Sequence, residues 1–225
     1  MLFRSGATVN DAILAIIGGG LRKYLLGKDE LPDLSLTAMA PISVRQEGEK
    51  AALGNLVSAM VVSLGTQIAD PLERLAHIHL DAVNSKGLTN AVGARTLTDY
   101  SQLIPSGLAG LGARLYTRLG VANATAPVFN VVATNVPGSR VPLYFSGAKM
   151  VKMFGLGPIF DSMGMINTIY SYVDEIAISF TCDRDMMPDP DAYAAALRAS
   201  FNELLAAAQA PVPKTVKPKK IKEKA

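Results

Sequence analysis

One cysteine, two histidines and no tryptophan stand in the 225 residues of this chain, and each scarcity removes a class of function. A lone Cys182 excludes a disulfide-stapled fold; it lies in an alternating apolar segment, which reads as a buried, inert thiol. Charged residues are also few, 18% against about 25% in ordinary domains. With hydrophobic residues at 49%, the chain is not disordered in the main. It carries more apolar side chain than a self-contained domain of this size needs. Long hydrophobic runs are missing too. Ala12–Leu21 and Leu56–Leu64 fall short of the roughly 18–20 residues that cross a bilayer. Met1-Leu2-Phe3-Arg4 passes into Ser5-Gly6 without the apolar core of a signal peptide. The expected location is cytoplasmic.

Net charge, +3 overall, conceals an asymmetry. Residues 211–225 hold six Lys and one Glu, so the tail carries +5 and residues 1–210 carry −2. A Lys/Pro-rich end without apolar periodicity is expected to be disordered. It solvates the chain or attracts anionic lipid headgroups, a peripheral contact with a membrane or lipid droplet. Nucleic acid is not an expected partner, because no aromatic residues interleave the lysines. We therefore expect one domain over 1–210 and a tail over 211–225.

Thr8 and Asp11 form a capping-box pair ahead of Val9, Ile13, Ile16 and Ile17, which recur at helical spacing. Gly18-Gly19-Gly20 weakens the middle of that helix and Gly27 ends it after Leu26. Strands are predicted over Leu34–Val44, ending near Pro41, and over Leu53–Leu64. Asp70 caps a second helix with Pro71 at its first position. Leu97–Leu119 reads as helical pieces broken at Pro105-Ser106-Gly107. Strands return at Val128–Val136, Val141–Lys152, Met163–Val173 and Glu175–Asp183. Pro188-Asp189-Pro190 opens an Ala-rich helix over Asp191–Gln209. The fold class is α/β (α+β), a mixed, largely antiparallel sheet flanked by helices.

Complete active sites are lacking. His77 and His79 project about 200° apart on a helix and cannot share a metal, while His77 and Asp81 stand at pairing distance on one face. There is no nucleophile elbow and no phosphate loop, and no Ser has an obvious His partner. The glycine pairs at 107–112 and 155–157 lack the setting of a dinucleotide site. Two polar groups are out of place in apolar surroundings. Asn10-Asp11 either caps its helix or lines a site at the positive helix end. In Thr134-Asn135-Val136-Pro137-Gly138, Pro-Gly signals a type II turn, and Asn135 either caps that turn or faces a ligand.

Taken in order, Gly6-Ala7-Thr8-Val9-Asn10-Asp11-Ala12, Pro41-Ile42-Ser43-Val44-Arg45, Gly54-Asn55 and Asn135-Val136-Pro137-Gly138 resemble the C-terminal half of the wax ester synthase/diacylglycerol acyltransferase family. Pro142-Leu143-Tyr144, Tyr170-Ser171-Tyr172 and Asp183-Arg184-Asp185 continue the likeness, which covers most of residues 6–205. The resemblance implies one half of a chloramphenicol-acetyltransferase-like, CoA-dependent acyltransferase fold. It implies transfer of an acyl group from acyl-CoA to diacylglycerol or a fatty alcohol, with no metal or bound cofactor. The family's general base is the second His of a His-His-x-x-x-Asp-Gly motif, which this sequence does not contain. No catalytic residue is therefore expected in this chain, which should be inactive without a partner N-terminal half. Asn10, Asp11, Asn135, Pro137 and Gly138 are the residues expected along the substrate tunnel. A lipid- or partner-binding module without catalysis is the alternative.

Overall fold

The computed structural model describes residues 6–43, 57–92, 128–159 and 163–210. Arg45, Gly54, Asn55, the helical pieces of 97–119 and the 211–225 tail lie outside them. Helix α1 spans Val9–Leu26. The predicted capping box forms: the Asp11 N–H donates to Thr8 Oγ1 at 3.2 Å and the Thr8 N–H to Asp11 Oδ2 at 2.8 Å. The chain leaves the helix through a pair of closing bonds, Glu30 N–H to the Leu25 carbonyl and Asp29 N–H to that of Leu26. Asp29 takes the left-handed conformation there, φ 57°, rather than Gly27.

The triple glycine, costly to a helix by about 1 kcal/mol per residue, has a packing reason. A Cβ at Gly18 would strike the carbonyl oxygen of Leu64, and one at Gly20 would lie 2.8 Å from Leu197 Cδ2. Only a bare backbone lets α1 come so close to the end of β2 (Val57–Ser63) and to α3 (Pro190–Gln209).

Helix α2 covers Pro71–Val92. Asp70 Oδ1 caps it, accepting from the Leu72 and Glu73 N–H groups at 2.9 and 2.8 Å. Before α3, Asp189 does not cap with its side chain; it accepts from the Tyr24 hydroxyl and pairs with Lys28 at 3.0 Å. The start of α3 is thereby tied to the end of α1. Tyr193 of α3 is fully buried, edge-on to the Tyr24 and Phe180 rings, and its hydroxyl donates to Asn167 Oδ1 at 3.1 Å.

Five strands form the main sheet in the order β2-β1-β3-β6-β7, with β1 at Thr37–Ser43, β3 at Val131–Val136, β6 at Met165–Tyr172 and β7 at Glu175–Cys182. It is mixed, as expected. Long antiparallel ladders, β1–β2 and β6–β7, hold its edges. Parallel pairings, β1–β3 and β3–β6, join them in the middle. Residues of alternate parity along the strands, such as Ala38, Val62, Val131 and Met165, meet the helices in one core. Val132 and Ile166 face the other way into a smaller cluster with Met39, Phe129 and Ile159.

One predicted strand differs. Val141–Lys152 is not continuous: β4 (Tyr144–Phe145) and β5 (Ala148–Lys149) pair as a hairpin of their own. The chain reverses at Ser146 and Gly147, φ 47° and 83°, the two positive values of a type I′ turn. Strand β1 runs past Pro41 to Ser43, β3 starts three residues inside its predicted limit, and residues 53–56 of the predicted second strand lie outside the described residues.

Candidate functional site

Strands β1, β3 and β6 run in one direction, so their carboxyl ends gather at one end of the sheet. Helix α1 runs the opposite way. Its last turns, at Leu21 and Tyr24, line a cavity with Val131 and Met165, the first residues of β3 and β6. Its first turn, with half-buried Asn10 and buried Asp11, therefore lies toward the carboxyl ends. Asn135 stands one residue before the end of β3, exposed. By strand periodicity it shares the helix-bearing face with Val131 and Ala133.

Between β1 and β3 the ladder is short, ending at Met39 and Val132, while β3 and β6 pair over the whole strand. Pro41, two residues farther along β1, has no N–H with which to continue it. Asn135 thus stands past the end of the β1–β3 ladder, beside the carboxyl ends of parallel strands, the end of the sheet at which α/β folds accept ligands. Pro137 is exposed just beyond. Gly138 does not take the positive φ that a type II turn requires at glycine. The reason for glycine is space: a Cβ would strike the Ser171 carbonyl oxygen and lie 2.7 Å from Cε1 of the Tyr170 ring. The Gly138 N–H donates to Ser171 Oγ at 3.1 Å, which fixes the loop on β6.

Asp11 does more than cap. His79 of α2 places Nδ1 2.9 Å from the same Oδ2 that accepts from Thr8. Burial alone would push the Asp11 carboxyl up; the hydrogen bonds from the Thr8 backbone and from His79 outweigh it and hold the carboxyl below its ordinary value. With Nδ1 committed to Asp11, Nε2 is the remaining polar atom of the ring. Sequence reading missed this pair because 68 positions separate its members. The local signal was His79 standing between apolar Ile78 and Leu80.

His77 and Asp81 do not pair with each other; both turn to β2. Asp81 Oδ2 accepts from the Ser63 backbone N–H at 2.6 Å, and His77 Nε2 lies 3.2 Å from Ser63 Oγ. This brings Ser, His and Asp together without making a nucleophile. The Ser63 hydroxyl already bonds Ser35 Oγ at 3.0 Å and accepts from the Gly65 N–H, and Asp81 orients no imidazole. Cys182 is half-buried rather than buried as expected; desolvation first and then neighbouring Asp183 push its thiol pKa up, away from thiolate chemistry. Gly155 and Gly157 lie flat on the sheet. A Cβ at Gly155 would come within 2.9 Å of Thr168 Cβ, and one at Gly157 within 2.5 Å of Ile166 Cδ1. The Gly155 carbonyl accepts from Thr168 and Ser179, both at 2.7 Å.

Comparison with known proteins agrees with this architecture. A protein of Mycobacterium tuberculosis (strain H37Rv), assigned by name to the diacylglycerol O-acyltransferases, is 35% identical over 200 residues. That alignment covers 89% of this chain and 43% of the relative. A second protein of that strain with the same type of name is 31% identical over 202 residues, 90% of this chain and 40% of its own length. Among solved structures, the wax ester synthase/diacylglycerol acyltransferase from Marinobacter aquaeolei VT8 superposes with a TM-score of 0.71 at 28% identity. It is matched over 92% of this chain and 45% of that one. The PapA2 acyl transferase shares the fold, with a TM-score of 0.50 at 12% identity over 90% of this chain and 40% of that one. The chain thus spans less than half the length of the relatives it matches. Residues 53–205 match the WS/DGAT C-terminal domain, and with the fold and these relatives in agreement the chain belongs to the wax ester synthase/diacylglycerol acyltransferase family, in its C-terminal part.

Proposed function

We infer that this chain forms the C-terminal half of an O-acyltransferase that moves an acyl group from acyl-CoA to diacylglycerol or a long-chain alcohol. The observation that carries the reading is the match of residues 53–205 to the family's C-terminal domain. Acyl-CoA enters as a substrate, and no resident cofactor or metal is assigned. The substrate tunnel passes the carboxyl ends of β1, β3 and β6, bordered by Asn10, Asp11, Asn135, Pro137 and Gly138. The general base that takes the alcohol proton comes from an N-terminal half, since His77 and His79 are the two histidines of the sequence and neither belongs to a His-His-x-x-x-Asp-Gly motif. Losing such a base costs about 10²–10⁴-fold in rate.

Exposed apolar side chains support a partner of this kind. Between Val141 and Leu156, the chain presents Phe145 84% exposed and Leu156 85% exposed, with Val141, Tyr144, Val151 and Phe154 also open to solvent. A surface of this character marks an interaction site. It also favours the second reading, a lipid-binding module without catalysis that sits on a membrane or droplet, with the basic tail as a further contact.

Labelled palmitoyl-CoA with hexadecanol or diacylglycerol tests both readings, on this chain alone and with an N-terminal half bearing the His motif. Product in the mixture alone establishes a complementing half of a split site. No product in the mixture, with vesicle binding by this chain, establishes the lipid-binding module. Turnover by this chain alone overturns the assignment of the base.

A further inference from the structure

At the end of the sheet remote from the candidate site lies a cavity of about 320 Å³, a volume at the lower end of those that hold small molecules. Leu21, Leu25, Val131, Met165 and Met187 supply apolar walls. From Val131 to Asn135 the strand advances about 13 Å, and from Leu21 back to Asp11 the helix advances about 15 Å. The two places are therefore separate. Nothing in the acyl-transfer reading uses this cavity.

Two polar side chains line it, besides the tyrosine hydroxyl committed to Asp189. Asn130 Oδ1 accepts from the Thr37 N–H at 2.8 Å and from the Thr37 hydroxyl at 3.2 Å, which leaves the Nδ2 hydrogens as its remaining donor. Glu30 is exposed and is the one charged residue among the described residues lining the cavity. Lys28 nearby is spent on Asp189 at 3.0 Å. Among the side chains of the described lining residues, the cavity thus offers one donor, Asn130 Nδ2, and one anionic acceptor, Glu30. A carboxylate head would meet Glu30 as a like charge, and an ammonium head could not accept from Asn130. A hydroxyl does both.

We propose that this cavity is a second binding site, for a medium-length alkyl chain ending in an uncharged hydroxyl head. At roughly 30 Å³ per group, the share of a water molecule in the liquid, the volume holds about ten methylenes. Met165, Met186 and Met187 line it together, and unbranched thioethers adapt to a sliding chain. Met186 is 70% exposed. Gly164 sits beneath it, where an added Cβ would lie 2.6 Å from Met186 Cε and 2.7 Å from its sulfur. A free alcohol and a partial glyceride both carry this chemistry.

The test follows ¹³C-methyl resonances of the methionines in the full 225-residue chain during titration with hexanol, decanol, monodecanoylglycerol, decanoate and decylamine, each below its aggregation threshold. The site is supported if decanol moves Met165, Met186 and Met187 and affinity rises about fourfold per added methylene. Whichever of decanol and monodecanoylglycerol binds tighter names the source of the chain. Decanoate should bind at least tenfold more weakly than decanol, and Glu30→Gln, an exposed change, should close that gap. Gly164→Leu should abolish binding while displacing only the flexible end of Met186, with retained methyl dispersion confirming the fold. The proposal is overturned if the shifts appear at Met150 and Met153, on the exposed apolar segment, if hexanol and decanol bind alike, or if decylamine outbinds decanol tenfold. None of these outcomes depends on acyl transfer.

Discussion

The two faces of the five-stranded sheet are finished differently. On one, the three helices of the described residues seal a core in which Ile17, Leu64, Leu75, Ile78 and Tyr193 have lost essentially all contact with water. On the other, the segment running through Gly155 and Gly157 lies flat on Thr168 and Ile166 but turns Phe154 and Leu156 outward. The contrast teaches what each set of residues serves. Glycines on the helical face bring elements together; glycines on the opposite face press a ribbon against the sheet while its large side chains remain available to something else.

The helical face should break first. Gly18→Ala gains up to about 1 kcal/mol of helix propensity but drives a methyl into the Leu64 carbonyl. A net loss of about 2 kcal/mol or more is expected for such overpacking, a fall in Tm of roughly 4–8 °C. Gly87→Ala is the control. It lies in α2 with open space around its Cβ position, and it should stabilise by about 0.5–1 kcal/mol. If both alanines stabilise, the close approach of α1 is wrong.

Tyr193→Phe comes next. It leaves buried Asn167 Oδ1 without the bond it accepts at 3.1 Å and should cost about 1–3 kcal/mol in denaturant unfolding. A smaller effect, about 1 kcal/mol at neutral pH, is expected of Asp11→Asn, which weakens the capping box and the contact with His79. Its pH dependence carries more information. Because Asp11 is held below its ordinary value when folded, its contribution is full above about pH 4, the unfolded value. That contribution is lost as pH falls through the lower folded value. Acid titration of stability should therefore be shallower in Asp11→Asn than in the parent chain.

The opposite face should yield the smallest change in stability. Phe145→Ser with Leu156→Ser removes exposed apolar surface and should shift stability by no more than about 0.5 kcal/mol per site. Association with an N-terminal half, read by sedimentation, should fall sharply. Loss of stability without loss of association would mean that these side chains serve the fold.

Much of this was legible along the chain. Capping pairs at Thr8–Asp11 and Asp70, the end of α1 and the Ala-rich last helix rest on residues three or four apart, whose preferences hold before any tertiary contact. Strands β6 and β7 were visible for the same reason. The Val141–Lys152 stretch misled because its apolar residues suggest burial, whereas Ser146 and Gly147 turn it back on itself. At the site, the sequence order marked Asn10, Asp11 and Asn135 as misplaced polar residues, yet it wrongly paired His77 with Asp81. Helical spacing permits that contact, but β2 lies closer and offers the Ser63 N–H.

By itself, then, the sequence determined where α1 begins and ends and where α2 and α3 begin, that helices pack on a mixed sheet, and which family the chain resembles. All of these follow from short-range periodicity and from the order of motifs. Only the tertiary structure decided that three consecutive glycines are a packing surface, that His79 reaches Asp11, and that Gly138 is required by the nearness of Ser171. Each of those facts is a distance between residues far apart in the chain. Such distances exist only once the sheet order and the helix contacts are set.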